Sequence, residues 1–265
     1  MAEPENLSFT EGGVTTNAVA RGSGEPVVLL HGFGQSQATW VLNAEAIAAR
    51  YRVLAVDMPG FGSSSKIALD SLEAFAANLA GFLGSQGLDS AHIVGHSFGG
   101  LIALGLALEH PQKVRSLAVL DPAGFGPTST DFRKKMAHAS TAAEIKDVFN
   151  MAFHDPGKYN DAIDRGVQAQ LAYRAQAGVM ELLAELDKIS EAWIVATAAR
   201  IEEIKAPMLV MWGQEDRATP ATNAERARGL PNAEIHLFEN AGHAAQIEAA
   251  QPFNETLLRF LDSQP

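Results

Sequence analysis

The chain contains no cysteine. That absence excludes disulfides, thiolate metal sites and a cysteine nucleophile, and leaves the compartment open. An excess of basic charge is also missing. Lys and Arg number 20 against 31 Asp and Glu, a formal charge of −11. A nucleic-acid backbone or an anionic membrane surface calls for a basic patch, so neither is expected as a partner. Long apolar runs are absent too, and residues 1–20 carry neither a basic start nor an apolar h-region. The expectation is a cytoplasmic, soluble protein with no signal peptide and no transmembrane span. No internal repeat or low-complexity linker divides the chain. What is present is 47% hydrophobic residues over 265 positions. That is enough for one large α/β domain or a domain with an insertion.

The most informative segment is Gly95-His96-Ser97-Phe98-Gly99, of the form G-x-S-x-G. A strand-like run, Ala91 to Val94, precedes it and a helix-like run, Gly100 to Leu108, follows. A serine between strand and helix can sit on a tight turn that lifts its hydroxyl out of the sheet. The flanking glycines leave room for that turn.

The rest of the chain alternates short apolar strands with helical stretches. Leu7 to Thr10 and Thr15 to Arg21 flank Glu11-Gly12-Gly13 and read as a hairpin. Strands are predicted at Pro26 to Leu30, Arg52 to Val56, Val114 to Leu120, Pro207 to Trp212 and Ala233 to Phe238. Helices are predicted from Ala38 to Arg50, from Asp70 to Ser85 with Asp70 and Glu73 as a capping box, and from Phe253 to Asp262. This rhythm implies a parallel sheet covered on both faces. From about Ala123 to Ala206 no strand is evident, and Val179, Leu182, Leu183 and Leu186 recur at helical spacing. The expected organisation is a core of 1–122 and 207–265 with a helical insertion at 123–206.

In an open parallel sheet, ligands bind beyond the carboxyl ends of the strands. Phe33, Ser97, Asp216 and His243 all fall at such ends. Serine needs an adjacent base. Histidine titrates near neutrality, and a carboxylate on its other ring nitrogen fixes the tautomer. The order Ser97, Asp216, His243 is the order of a nucleophile-elbow enzyme. The backbone N–H groups of Phe33 and Phe98 are the natural oxyanion donors. Asp121 also ends a strand and is a rival for the acid.

Five ordered segments carry a resemblance. They are His31-Gly32-Phe33-Gly34, Asp57-Met58-Pro59-Gly60-Phe61-Gly62, Gly95 to Gly100, Gly213-Gln214-Glu215-Asp216, and Gly242-His243. Together they resemble the α/β-hydrolase superfamily over nearly the whole chain. The resemblance implies an eight-stranded, mostly parallel sheet with an antiparallel second strand, and a helical cap between strands six and seven. Leu120 to Gly126 and the Val-Leu-Leu-His-Gly-Phe-Gly run are similar to the hydrolase-like region of acetoin dehydrogenase acyltransferase components. No lipoyl-like segment is seen, so an acyltransferase role is not carried over. Carbon–carbon bond hydrolases of ring-cleavage products are a second relative. A tryptophan usually follows their triad histidine, whereas Ala244 stands here, although Gln246 and Glu248 fit the pattern.

The leading expectation is a serine hydrolase acting on a small-to-medium, partly apolar ester through an acyl-enzyme. Carbon–carbon cleavage or acyl transfer is the alternative, and a non-catalytic ligand-binding protein is a third reading. A serine at position 97 speaks against the chemistry of relatives with a carboxylate nucleophile. His31, Phe125 and Trp193 are candidate pocket residues, and Arg165 and Arg174 are candidates for a substrate carboxylate. Asp57 is expected to brace its own turn, and Glu215 to be a solvated loop carboxylate. No metal site is expected, because His92 and His96 do not share a helix face. No organic cofactor is expected either. Gly32 and Gly34 lack the third glycine of a dinucleotide loop, and Gly60 to Lys66 lacks P-loop spacing. The partner is a small-molecule substrate, with a homo-oligomer left open.

Overall fold

The computed structural model describes residues 3–264. The terminal positions 1, 2 and 265 of the expected core lie outside the described residues. Eight strands form one sheet: β1 (Glu5–Glu11), β2 (Val14–Arg21), β3 (Pro26–Leu30), β4 (Arg52–Asp57), β5 (Ala91–His96), β6 (Val114–Leu120), β7 (Met208–Gly213) and β8 (Ala233–Phe238). Their order is β1-β2-β4-β3-β5-β6-β7-β8. Strand β2 runs antiparallel to both neighbours, and every other pairing is parallel. This is the α/β-hydrolase sheet that the resemblance implies.

Strand side chains alternate between two apolar layers, as pleating requires. Val28, Leu30, Ile93, Leu117 and Val119 face one layer, with helices α2 (Leu72–Ser85) and α3 (Phe98–Glu109). Val27, Leu29, Val94, Ala118 and Leu120 face the other. That layer is closed by α1 (Ala44–Ala48) and, after α8 (Ala245–Glu248), by α9 (Ala250–Asp262). Both strand faces are covered, so the central strands read as continuous apolar runs rather than alternating ones.

Between β6 and β7 the chain passes through α4 (Thr130–His138), α5 (Ala142–Ala152), α6 (Asn160–Arg174) and α7 (Val179–Arg200). Val179, Leu182, Leu183 and Leu186 are buried along α7. A separate apolar cluster joins Phe132, Ile145, Val148, Phe153, Ile163 and Val167 to Ala218 and Ala244 at the strand ends. Among the described residues no helix is long and apolar enough to cross a membrane.

Two local expectations are corrected. The helix predicted from Ala38 to Arg50 is broken into a 3-10 turn, Gln37–Trp40, and the short α1. Trp40 is fully buried against Phe253, and the Asn43 side chain donates to the Gln246 carbonyl and to Asn254 Oδ1, each at 3.0 Å. These tertiary ties outweigh the local helical preference. Helix α2 is capped by Ser71, not Asp70: Ser71 Oγ accepts the Ala74 N–H at 3.1 Å. The capping box of this chain is Thr141 with Glu144, at α5.

Glycine is demanded where β5 turns into α3. A Cβ on Gly99 would lie 2.5 Å from both the Leu30 and His31 carbonyl oxygens. Backbone cannot yield as a flexible side chain can. Gly99→Ala is expected to lower stability by at least about 2 kcal/mol, as overpacked sites do. Gly84→Ala, exposed in α2 with nothing within 4 Å, should gain about 0.5–1 kcal/mol from helix propensity. Urea unfolding of both variants checks the contrast.

Candidate active site

Ser97 closes β5 and opens α3 with φ 53° and ψ −115°. A positive φ is uncommon outside glycine and marks a strained turn, worth about 1–3 kcal/mol. The strain is held by hydrogen bonds on both sides. The Ser97 N–H donates to Leu120 O at 2.9 Å, and its carbonyl accepts from Leu101 N and Ala123 N. Gly95 completes the fit, since a Cβ there would lie 2.4 Å from Gly99 O. The hydroxyl is thereby presented beyond the sheet while the strand beneath it stays buried.

His243 joins the two other groups to it. Its Nε2 lies 2.8 Å from Ser97 Oγ, and its Nδ1 lies 2.8 Å from Asp216 Oδ2. The carboxylate accepts at Nδ1, so the proton sits there and Nε2 is bare toward the serine hydroxyl. Asp216 is locked in place. Its Oδ1 accepts the Ala218 and Thr219 N–H groups at 2.7 and 3.0 Å, and its Oδ2 accepts the Thr219 hydroxyl at 2.7 Å. Thr219 was not singled out from sequence. Its signal is the Asp-x-x-Thr spacing, in which a carboxylate caps the turn that follows it.

The backbone of His243 is tied to the helical insertion. Its N–H donates to Ala152 O at 2.7 Å. Glu248 accepts the Gly242 N–H at 2.7 Å and the His154 N–H at 2.9 Å. Burial pushes the Glu248 carboxyl up despite these donors. The His243 carbonyl accepts from His96 Nε2 at 2.8 Å. Burial drives His96 down to about 3, so that ring is neutral.

Asp121, the rival acid, does not touch His243. Its Oδ1 accepts the Gly213 N–H at 2.8 Å, and burial, then the nearby Asp216 charge, push its carboxyl well up. Phe98 occupies the first position of α3, where a helix leaves an N–H without an intrahelical partner. Phe33 follows β3, with its ring edge-on to Phe98 at 5.7 Å. Both residues line the cavity beside Ser97.

Two small cavities meet at Ser97 and His243, of about 60 and 50 Å³. Phe33, Phe132 and Met136 line both. The candidate pocket residues His31, Phe125 and Trp193 line neither. His31 is fully buried: Nδ1 donates to Gly32 O at 2.8 Å and Nε2 accepts the Met58 N–H. Phe125 is buried against Trp212, and Trp193 packs on Phe75. Apolar packing absorbs Phe125 and Trp193, and backbone hydrogen bonds hold His31. Of the candidate arginines, Arg174 is buried and bonds Met136 O, Ala139 O and Gln170 Oε1, while Arg165 lies exposed on α6. Arg133 does reach the first cavity, but it pairs with Asp187 and Glu191. Asp57 braces its turn through Gln37 and Ser63. Glu215, expected in solvent, instead accepts the Ala241 N–H at 3.0 Å and joins two loops.

The donor atoms of His96, Asp121 and His243 lie within 4.8 Å of one another. Both His243 nitrogens are committed to Asp216 and Ser97, which leaves His96 Nδ1 and Asp121 Oδ2 as two donors, too few to make this trio a metal site.

Asp121 and Asp216 are separable by substitution. Asp216→Asn should lower kcat by about 10⁴-fold through the wrong histidine tautomer, whereas Asp121→Asn should keep most of the rate. Folding raises the Asp121 pKa, so its stabilising contribution is full below the unfolded value and lost as pH rises through the folded one. The wild-type urea midpoint should therefore fall with rising pH relative to that of Asp121→Asn. Paired urea titrations from the ordinary carboxylate range upward measure the difference.

Comparisons with known proteins identify the family. Residues 27–256 match the family described as the alpha/beta hydrolase family. The chain is 34% identical over 259 residues to a dihydrolipoyllysine-residue acetyltransferase component of the acetoin cleaving system from Cupriavidus necator. That match covers 94% of this chain and 67% of the relative, so the chain spans about two thirds of that protein's length. It is 32% identical to a 2-hydroxy-6-oxo-6-phenylhexa-2,4-dienoate hydrolase from Burkholderia cepacia, over 91% of this chain and 88% of the relative. A solved meta-cleavage product hydrolase from Pseudomonas fluorescens, complexed with acetates, superposes with a TM-score of 0.87. It is 26% identical, with 97% of each chain covered. The nucleophile turn, the strand order and these matches converge: the chain belongs to the alpha/beta hydrolase family and is a hydrolase.

Proposed function

We propose that this hydrolase is a serine esterase that cleaves a small-to-medium, uncharged and partly apolar ester through an acyl-enzyme. The observation that carries the reading is His243 bridging Ser97 and Asp216 beside two apolar cavities. Ser97 Oγ attacks the acyl carbonyl as His243 Nε2 takes its proton. Asp216 stabilises the imidazolium that forms. The Phe33 and Phe98 N–H groups hold the oxyanion, each worth about 10²–10³ in rate. His243 then protonates the leaving alcohol. Water, activated by the same ring, attacks the acyl carbon and frees Ser97. The helical insertion acts as the cap that walls this chemistry from bulk water.

Carbon–carbon hydrolysis of a ring-cleavage diketone is the second reading. Relatives named for that activity support it: they match at 32–33% identity over most of this chain. The same triad serves, with the proton going to carbon rather than oxygen. The cation chemistry at the site favours the ester. A dienoate substrate carries a carboxylate, while Arg133, on the nucleophile's cavity, is already paired with two acids, Arg174 is occupied by carbonyl groups, and Arg165 stands farther off, on the groove along α6.

A panel of neutral aryl esters against 2-hydroxy-6-oxo-dienoates separates the two. The esters are expected to show the higher kcat/KM, and Ser97→Ala should lower ester turnover by at least about 10⁴-fold. Faster turnover of the dienoates would replace the ester reading with carbon–carbon cleavage. Full ester activity in Ser97→Ala would remove both.

A further inference from the structure

The two cavities at Ser97 hold little. Sites for small-molecule ligands usually measure about 300–1,000 Å³, and these measure about 60 and 50 Å³. A groove of about 600 Å³ adjoins the second of them. It runs between the 38–42 segment and α6, and shares Gln35, Phe149, Phe153 and Ile247 with that cavity. Its floor on α6 sets the small residues Ala162, Gly166, Ala169 and Ala172 among Arg165, Gln170 and Tyr173. Its opposite wall holds Val41 and Leu42, which are 73% and 50% exposed. Two adjacent large aliphatic side chains left in water at the mouth of a groove call for an apolar occupant.

Phe149 stands at the junction, lining both spaces. Its ring rests on Gly166, where a Cβ would lie 2.7 Å from Phe149 Cζ. The missing Cβ lets the ring lie down against α6 between groove and cavity.

We infer that the groove between residues 38–42 and α6 is a second binding subsite, taking a neutral alkyl chain of the substrate that passes Phe149 to reach Ser97. The occupant follows from continuity with the nucleophile's cavity and from mostly apolar walls, on which Arg165 is the one charged side chain. This rests on the ester reading and sharpens it. The substrate class is a neutral ester with a medium-length alkyl chain, the reacting carbonyl in the small cavities and the tail in the groove. Each methylene buried along these walls raises kcat/KM by up to about fourfold.

The test compares acetate, butyrate and octanoate esters of one neutral phenol. Wild-type kcat/KM should rise by at least about tenfold from butyrate to octanoate. Ala169→Trp fills the groove from an exposed position of α6, and should abolish that rise, lowering octanoate turnover far more than acetate turnover. Leu42→Ser, on the opposite wall, should weaken octanoate selectively. Calorimetric binding of methyl octanoate and methyl acetate to Ser97→Ala gives a readout independent of turnover. Preference for octanoate there, lost in the Ser97→Ala, Ala169→Trp double variant, supports the subsite even if no ester is hydrolysed. In that case the ester reading fails alone. A flat or falling chain-length profile, with no octanoate preference in binding, overturns the subsite. So does a profile unmoved by Ala169→Trp and Leu42→Ser while Leu42→Ser converts a dimer to a monomer in sedimentation, which would assign the face to a second copy of the chain.

Discussion

The imidazole of His243 is the joint on which the site depends. Its two nitrogens each require a partner at 2.8 Å, and those partners lie 146 and 27 residues away in the chain. Only the register of the parallel sheet places the ends of β5, β7 and β8, with β6 between the first two, along one edge so that all three groups converge. The turn at Ser97 then does what an extended strand cannot, aiming a side chain beyond the sheet edge. Its positive φ is tolerated because Leu120, Leu101 and Ala123 hold the peptide groups on either side. Removing the close packing at Gly95 and Gly99 would therefore disturb the chemistry and the core together.

His243 is fastened to more than the sheet. Its N–H reaches Ala152, and Glu248 ties Gly242 to His154. The end of α5 and the histidine loop are thus one hydrogen-bonded unit. Motion of that part of the insertion is motion of His243. By contrast, the groove along α6, proposed as the subsite for the substrate's chain, is lined by small residues and the exposed Val41 and Leu42, with Arg165 beside them. One insertion accordingly carries a hydrogen-bonded attachment near α5 and one wall of that groove on α6.

Most of the sheet was legible because strands buried on both faces are short, continuous apolar runs bounded by Gly, Pro and Asp. The nucleophile turn was legible for a related reason, since its geometry forces glycine at fixed offsets from Ser97. The helix expected over 38–50 was not. Its break depends on Asn43 reaching Gln246 and Asn254, more than 200 residues on. The cap of α2 went to Ser71 because two adjacent capping side chains compete and local spacing does not rank them. The pocket was the least legible part. Aromatic residues such as Phe125 and Trp193 serve core or cavity equally well by composition, and only helix packing decides between them. Asp121 and Asp216 both end strands, and the hydrogen bond to His243 is what separates them.

The central claim is that Ser97 is a nucleophile activated through His243 and Asp216. Labelling with a serine-reactive fluorophosphonate, mapped and timed by mass spectrometry, tests it most directly. Stoichiometric modification confined to Ser97, abolished in Ser97→Ala and strongly slowed in Asp216→Asn, is the predicted result. Absence of labelling, or labelling at Ser97 that is equally fast in Asp216→Asn, would contradict it.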